Sequence, residues 1–100
     1  MTFANIGTLG TLPGHRDELI ALLTRRWSEA PEGCLLYEVG ASADEPDTVF
    51  VAELWTSAEA HAASLQLPSV QAAIAEARPI LSGEFGGYRF DVVGSPLRDR

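Results

Sequence analysis

The feature that most constrains the fold is the run TVFVAELW at residues 48–55, which is apolar at nearly every position. Its β-branched and aromatic residues predict a β-strand, in which successive side chains point to opposite faces. One predicted face carries Val49, Val51 and Trp55, and the other carries Phe50, Ala52 and Leu54. A half-solvated antiparallel sheet would place polar residues on one of these faces. The sequence therefore predicts a strand that is covered on both sides.

The rest of the chain divides into strand and helix patterns separated by turn signals such as Pro13-Gly14. The predicted elements are a strand at 2–12, a helix at 17–30, strands at 34–41 and 48–55, a helix at about 58–66, a further helical piece at 70–77 after the interruption at Pro68, and a strand at 84–93. This βαββαβ order is that of the ferredoxin-like α+β fold, a four-stranded antiparallel sheet with the helices on one face.

One hundred residues are enough for a single core, so we expect one domain at residues 1–93 and a flexible tail at 94–100. Helices on one face of the sheet leave the other face uncovered, and the chain has no further element to cover it. We therefore expect a second copy to pack sheet on sheet in a twofold homodimer.

The charge composition excludes some classes of partner. There are 14 acidic residues against seven arginines, no lysine, and a formal net charge of −7. Nucleic-acid binding uses clustered positive charge, so we expect no nucleic-acid partner. No apolar run approaches the roughly 20 residues of a membrane-spanning helix, and the N-terminal residues lack a basic and apolar leader. These patterns predict a cytoplasmic protein with no membrane partner.

No strong catalytic motif occurs: there is no Gly-rich phosphate loop, no histidine pair with metal spacing and no nucleophile elbow. The single cysteine, Cys34, opens an apolar run and is predicted to be a small buried hydrophobe. His15 follows a Pro-Gly turn beside charged residues, which predicts a surface position without a role.

Several polar residues interrupt the predicted strands and are candidates for a site. Asn5 either faces inward with its amide hydrogen-bonded or lies on an edge strand. Glu53 shares a strand face with Trp55, so it is either paired at a subunit interface, with Arg89 as a candidate partner, or reaches a ligand. Trp55 itself is either a core side chain or the wall of a pocket.

Two tyrosines and a helical histidine complete the candidates. Tyr37 and Tyr88 are predicted as core aromatics whose hydroxyls reach water. His61 shares a helix face with Ser64 and Leu65, and it points near the core if Leu65 does. Imidazole changes charge near neutral pH, which is the property that a general base needs. The alternative is a partly exposed or hydrogen-bonded histidine without chemistry.

Three segments together resemble the antibiotic biosynthesis monooxygenase family: LPGHRDEL, PEGCLLYEV, and VAELW followed by SAEAHAASLQLPSV. The resemblance covers about residues 3–92. It implies a ferredoxin-like protomer of the dimeric α+β barrel type, in agreement with the argument from the two-faced strand. It also implies a cofactor-independent monooxygenase that oxidises a small aromatic, quinol or polyketide-type molecule with dioxygen. Fold alone does not fix the activity.

The resemblance also suggests which residues form the site. Many members carry a histidine nine residues after the tryptophan of Glu-x-Trp, where this chain has Ser64, and an apolar residue where this chain has His61. In the catalytic hypothesis His61 replaces the missing base, while a further set of residues binds the substrate. The predicted substrate-binding residues are Asn5, Tyr37, Trp55, Ser64 and Arg89.

The hypothesis includes no metal and no cofactor. The haem-degrading branch of the family is not favoured, because the run SVQAAIAEAR lacks its ligand histidine. The alternative is a non-catalytic dimeric ligand-binding or stress-response domain, in which Ser64 marks a lost active site.

Overall fold

The computed structural model describes residues 1–25, 27 and 30–98. Its strands are β1 (Phe3–Thr11), β2 (Cys34–Ala41), β3 (Thr48–Trp55) and β4 (Leu81–Asp91), and its helices are α1 (Arg16–Leu23), α2 (Ala58–Ser64) and α3 (Pro68–Ala77), followed by a 3-10 turn at Arg78–Ile80. The strands form one antiparallel sheet in the order β2-β3-β1-β4. The predicted ferredoxin-like α+β fold is confirmed.

The core lies between the sheet and the helices. Leu19 of α1 and Val49 of β3 are completely buried there, and Val51, Ala77 and Ile80 pack around them. Val49, Val51 and Trp55 all lie on this helix-covered face, as the alternation of β3 predicts. Helix α3 packs against α1. A cavity lies between α3 and the sheet, lined by residues of both.

Helix α1 ends earlier than the sequence pattern predicts. It stops at Leu23, and the predicted end at Ala30 is wrong, although residues 26, 28 and 29 lie outside the described part of the chain. At the C-terminal end, the Thr24 hydroxyl donates to the carbonyl oxygen of Ile20 at 2.7 Å. The Thr24 N–H donates to the same carbonyl oxygen at 2.9 Å, and a threonine that bonds back to the preceding turn in this way often disturbs the helix.

Pro68 begins a helix rather than interrupting one. Helix α2 ends at Ser64, and α3 starts at Pro68, two residues before the predicted start at 70. The first turn of a helix tolerates proline because its missing N–H would have no partner there. Strand β4 likewise begins at Leu81 rather than at residue 84.

The sheet surface opposite the helices, here called the open face, carries exposed apolar side chains. Its exposed apolar members are Ile6 on β1, Leu36 on β2, Phe50 on β3, and Tyr88 and Phe90 on β4. Phe50, for example, is 43% exposed. The described part of the chain contributes no element to this face, so both sides of β3 are apolar but only one is covered.

Each helix in the described part of the chain is too short or too polar to cross a membrane.

Candidate functional site

Four polar side chains form one row across the helix-covered face of the sheet, one from each strand. Tyr37 on β2 pairs in register with Glu53 on β3, Glu53 pairs with Asn5 on β1, and Asn5 pairs with Arg89 on β4. Neighbouring strands are about 4.8 Å apart, so adjacent members of the row are within side-chain reach of each other. The register thus assembles a polar row from residues that are far apart in the sequence.

Glu53 is the centre of this row. Its Oε2 accepts a hydrogen bond from Nδ2 of Asn5 at 2.9 Å, and its Oε1 accepts one from Nε1 of Trp55 at 3.1 Å. The Glu53 side chain is only 12% exposed. A carboxylate removed from water needs hydrogen-bond donors in place of the water that it has lost, and Asn5 and Trp55 supply two.

Helix α2 places His61 directly over this carboxylate. The helix begins at Ser57, whose hydroxyl accepts the N–H of Ala60 at 3.0 Å, as an N-cap serine does. His61 is 8% exposed, and its ring lies edge-on to the Trp55 ring with centroids 5.4 Å apart. Its Nε2 is 3.5 Å from Nδ2 of Asn5 and 3.9 Å from Oε1 of Glu53. A titratable imidazole therefore lies beside a buried carboxylate.

Ser64 lies one turn after His61 on the same inward face. It is buried, and its hydroxyl donates to the main-chain carbonyl oxygen of His61 at 2.6 Å. Leu65, in contrast, is 40% exposed, so the inward face of α2 is the one that carries the polar pair. The serine hydroxyl proton is engaged within the helix, while its oxygen lone pairs remain available as acceptors.

Tyr37 occupies the β2 end of the row. Burial, reinforced by the negative charge of Glu53, raises the pKa of the Tyr37 hydroxyl to about 12. Its ring also packs edge-on against Trp27, with centroids 5.0 Å apart. Tyr37 is therefore a neutral phenol over the physiological pH range and can donate a hydrogen bond.

These residues line a cavity of about 750 Å³ between the sheet and the helices. The volume lies within the range that small-molecule sites occupy. Much of the wall is apolar, with Leu22, Leu65, Val70 and Ile74 from the helix layer. All six predicted site residues contribute to the lining: Asn5, Tyr37, Trp55, His61, Ser64 and Arg89. Their position is consistent with the predicted site, while their roles remain predictions.

One of the two alternatives for Glu53, a pair with Arg89 at a subunit interface, needs correction, while the other, contact with a ligand, stays open because Glu53 lines the cavity. It lies on the helix-covered face, so it is not at a sheet-to-sheet interface, and its partners are Asn5 and Trp55. Among the described residues it forms no ion pair with Arg89, which is exposed at the β4 edge of the cavity. Sequence alternation placed Glu53 beside Trp55 on one strand face, but only the register reveals that Asn5 lies opposite.

Three other predicted positions can be compared with the structure. Tyr88 is 77% exposed on the open face and is not a core aromatic, because β4 turns that side chain away from the helices. Cys34 is only partly buried, and burial together with the nearby Glu53 charge raises the pKa of its thiol. His15 lies at the surface, where Nδ1 is 3.0 Å from Glu18 Oε1.

Sequence reasoning missed two aromatic residues near the site. Phe3 packs against the His61 ring with centroids 5.8 Å apart, and Trp27 contributes to the cavity wall. Phe3 is two residues from Asn5 on β1, so strand alternation predicts that both side chains lie on the same face. Within residues 1–25, 27 and 30–98, no group of three or more His, Cys, Asp and Glu side chains is placed to hold a metal ion.

The fold and the cavity define a ferredoxin-like α+β protein with a small-molecule-sized space under its helix layer. The family model for antibiotic biosynthesis monooxygenase matches residues 2–76, and the chain belongs to that family.

Solved structures agree with this assignment. A Chloroflexus aurantiacus J-10-fl protein, named as a candidate antibiotic biosynthesis monooxygenase, is 39% identical, with 95% of this chain and 96% of that chain covered and a TM-score of 0.83. A similarly named protein from Deinococcus radiodurans is 25% identical over 95% of both chains, with a TM-score of 0.75.

A third, from Caulobacter crescentus CB15, is 24% identical, with 93% of this chain and 91% of that chain covered and a TM-score of 0.82, and it shows the fold alone. A comparison with curated proteins finds no significant match.

Proposed function

We propose that this protein is a cofactor-independent monooxygenase that oxidises a small aromatic, quinol or polyketide-type substrate with dioxygen. The observation that carries the proposal is the placement of His61, which lines an apolar cavity and lies beside the carboxylate of Glu53. An electron-rich phenol needs only a proton acceptor, hydrogen bonds to its developing oxyanion and exclusion of water to react with dioxygen.

In the proposed reaction His61 takes a proton from the substrate, leaving an electron-rich anion. The anion transfers electrons to dioxygen, a carbon–oxygen bond forms, and His61 returns the proton to give a hydroperoxide. Loss of the carbon-bound hydrogen as a proton, with cleavage of the oxygen–oxygen bond, releases water and leaves a carbonyl. The substrate loses two hydrogens and gains one oxygen atom, while the second oxygen atom leaves in water.

The remaining cavity residues have roles that follow from their chemistry. Tyr37 is a neutral phenol and donates a hydrogen bond to the substrate oxyanion. Arg89 supplies positive charge at the β4 end of the row, and Trp55 and Asn5 fix the polar floor. Ser64 accepts a hydrogen bond from the substrate, because its own proton is given to the His61 carbonyl oxygen.

The partner in this proposal is a second copy of the chain. Two open faces, each carrying exposed apolar side chains such as Phe50 and Tyr88, cover one another sheet on sheet. In a twofold dimer the same surface of each copy forms its half of the interface. The site of each protomer lies on the opposite, helix-covered side of its sheet.

Oxygen uptake with a panel of anthrones and hydroquinones tests the proposed activity. We expect the wild type to consume dioxygen, and with ¹⁸O₂ one labelled oxygen atom should enter the product. His61→Ala should lose this activity, while His15→Ala, which changes the surface histidine, should keep it. Uptake by His61→Ala at the wild-type rate would remove His61 from the mechanism.

A second candidate function is ligand binding without catalysis. It is favoured by Ser64, which stands where the family resemblance leads one to expect a histidine and whose hydroxyl is engaged with the main chain. In that case the same compounds should quench Trp55 fluorescence on binding, with no oxygen uptake by the wild type. Trp55→Phe identifies the contribution of this tryptophan to the quenching.

A further inference from the structure

We infer that Glu53 is a positioning residue that holds His61 as the Nε2–H tautomer, so that Nδ1 is the atom that accepts the substrate proton. The role of Nδ1 as proton acceptor rests on the proposed function, whereas the tautomer of His61 does not. Glu53 thus has a role in positioning His61 rather than in contacting the ligand, and Nδ1 is the reacting nitrogen of His61.

The contact with Glu53 fixes the orientation of the Asn5 amide. A carboxylate oxygen only accepts hydrogen bonds, so the Asn5 atom 2.9 Å from Glu53 Oε2 must be the nitrogen. The same nitrogen lies 3.5 Å from Nε2 of His61, beyond the usual range of 2.7–3.2 Å for an N–H hydrogen bond. The Asn5 amide carries two N–H groups, so one can donate to Glu53 while the second faces Nε2 and favours a bare, accepting nitrogen there. This neutral contact competes with the full charge of Glu53, and charge-assisted hydrogen bonds are roughly twice as strong as neutral ones.

The carboxylate of Glu53 faces Nε2 of His61. Glu53 Oε1 lies 3.9 Å from Nε2, and both side chains are nearly buried, at 12% and 10% exposure. In such an environment an N–H directed at a carboxylate is attracted, whereas a bare nitrogen lone pair is repelled. Trp55 holds Oε1 from the other side through its own N–H at 3.1 Å, so the carboxylate cannot easily turn away.

The other ring nitrogen of His61, Nδ1, has different surroundings. The polar contacts of the His61 ring among the described residues all involve Nε2. Within that part of the chain no fully enclosed side-chain nitrogen or oxygen lacks a hydrogen-bond partner, so Nδ1, which has no partner there, is not fully enclosed. Because His61 lines the cavity, we take the cavity as the space from which Nδ1 receives a proton.

The chemical consequence is a carboxylate–imidazole dyad. When Nδ1 takes the proton from a substrate O–H or acidic C–H, the ring becomes an imidazolium whose Nε2–H faces Glu53. The carboxylate stabilises this cation without itself taking the proton, the logic by which a buried acid orients a catalytic histidine. The separation of 3.9 Å is at ion-pair range, and catalytic hydrogen bonds often tighten when substrate binds.

Long-range ¹H–¹⁵N spectra of the ¹⁵N-labelled protein test the inference without any substrate. At a pH where the ring is neutral, we expect the His61 signals of the wild type to report Nε2–H. Glu53→Gln should shift the population toward Nδ1–H, and Glu53→Asp should retain most of the Nε2–H form. The control is Glu38→Gln, an exposed carboxylate on the open face of β2, which should leave the His61 signals unchanged. His61→Ala identifies the signals.

A wild-type spectrum of the Nδ1–H form would overturn the inference, as would an unchanged His61 tautomer in a folded Glu53→Gln protein. If a substrate is found by oxygen uptake, Glu53→Gln should lower kcat at least about tenfold with little change in KM. The expected spectra together with no oxygen uptake would leave the Glu53 arrangement intact and refute the proposed monooxygenase instead.

Discussion

Trp55 donates a hydrogen bond from Nε1 to Oε1 of Glu53, two residues earlier in the same strand, at 3.1 Å. The two side chains share a face because strand side chains alternate with a period of two. The indole thus does two things: its ring is 2% exposed and fills space beside His61, and its N–H stabilises a buried carboxylate. Each contribution can be separated by mutation.

Trp55→Phe should destabilise the fold by more than the loss of ring volume alone would. Removing the N–H leaves Glu53 with one donor fewer, and a hydrogen bond to a charged group contributes about 1.5–3 kcal/mol. We expect the cost of Trp55→Phe in urea unfolding to be smaller by about 1–2 kcal/mol in a Glu53→Gln background than in the wild type. Equal costs in both backgrounds would contradict a stabilising indole–carboxylate bond.

Tyr37→Phe should change how stability depends on alkaline pH. The folded pKa of Tyr37 is raised to about 12 from an ordinary value of 10.0, so between these values the unfolded chain loses the proton and the folded one keeps it. Folding stability must then fall as pH rises from 10 to 12, by roughly 2–3 kcal/mol. Below pH 10 the Tyr37 hydroxyl keeps its proton in both the folded and the unfolded state, so none of this stability is lost.

The measurement is the free energy of unfolding as a function of pH for the wild type and Tyr37→Phe. The mutant should show a flatter decline between pH 10 and 12. Tyr88→Phe, which removes a phenol from the open face, is the matched control for the loss of a tyrosine. Identical slopes for the wild type and Tyr37→Phe would show that the Tyr37 hydroxyl is not protected in the folded protein.

Much of the fold could be predicted because its signals are local. The bounds of β2 and β3 follow from two β-rich runs, the first preceded by Gly33 and the two separated by the Asp- and Pro-containing loop at 42–47, and the structure reproduces both runs without change. The end of α1 could not be predicted in the same way. Its apolar spacing continues to Trp27, but that ring packs against Tyr37 instead of extending the helix.

The site was harder to predict because it depends on register. Alternation within β3 indicates that Glu53 and Trp55 share a face, but Asn5 lies 48 residues away in the sequence. Only the pairing of β1 with both β3 and β4 brings Asn5 between Glu53 and Arg89. The position of His61 over the row depends further on the start of α2, which no strand pattern can fix.

Gly33 should be more sensitive to substitution than Gly14, although both have a φ of +83°. A Cβ at Gly33 would lie 2.7 Å from Thr56 Oγ1 and 2.8 Å from Ala60 Cβ, whereas a Cβ at Gly14 would meet nothing within 4 Å. Positive φ disfavours alanine at both sites by about 1 kcal/mol, and the crowding adds about 1–3 kcal/mol at Gly33 only.

Chemical denaturation of Gly33→Ala and Gly14→Ala measures this difference. The larger loss at Gly33 should be accompanied by a disturbed His61 environment, because Gly33 accepts the Thr56 N–H at 2.8 Å just before α2 begins. Changes in the His61 ring signals report this displacement. Equal destabilisation by the two alanines would mean that the contact between Gly33 and α2 can rearrange without loss of stability.

Phe50→Glu should convert the protein from dimer to monomer if two open faces pack together. Phe50 lies near the centre of the open face, next to Gly40 on β2 and Thr8 on β1. A charge there would be buried without a partner in a sheet-to-sheet interface, and loss of a central apolar contact typically costs at least about 2 kcal/mol, or about thirtyfold in dissociation constant. Because Phe50 is 43% exposed in the protomer, the single chain should still fold.

Sedimentation equilibrium at several concentrations measures the assembly, and circular dichroism verifies the fold of the variant. Leu97→Glu is the matched control, because Leu97 is 82% exposed and lies outside the four strands. It introduces the same charge and should leave the dimer intact. A monomeric wild type, or a Phe50→Glu variant that associates as tightly as the wild type, would exclude the open face as the surface joining the two copies.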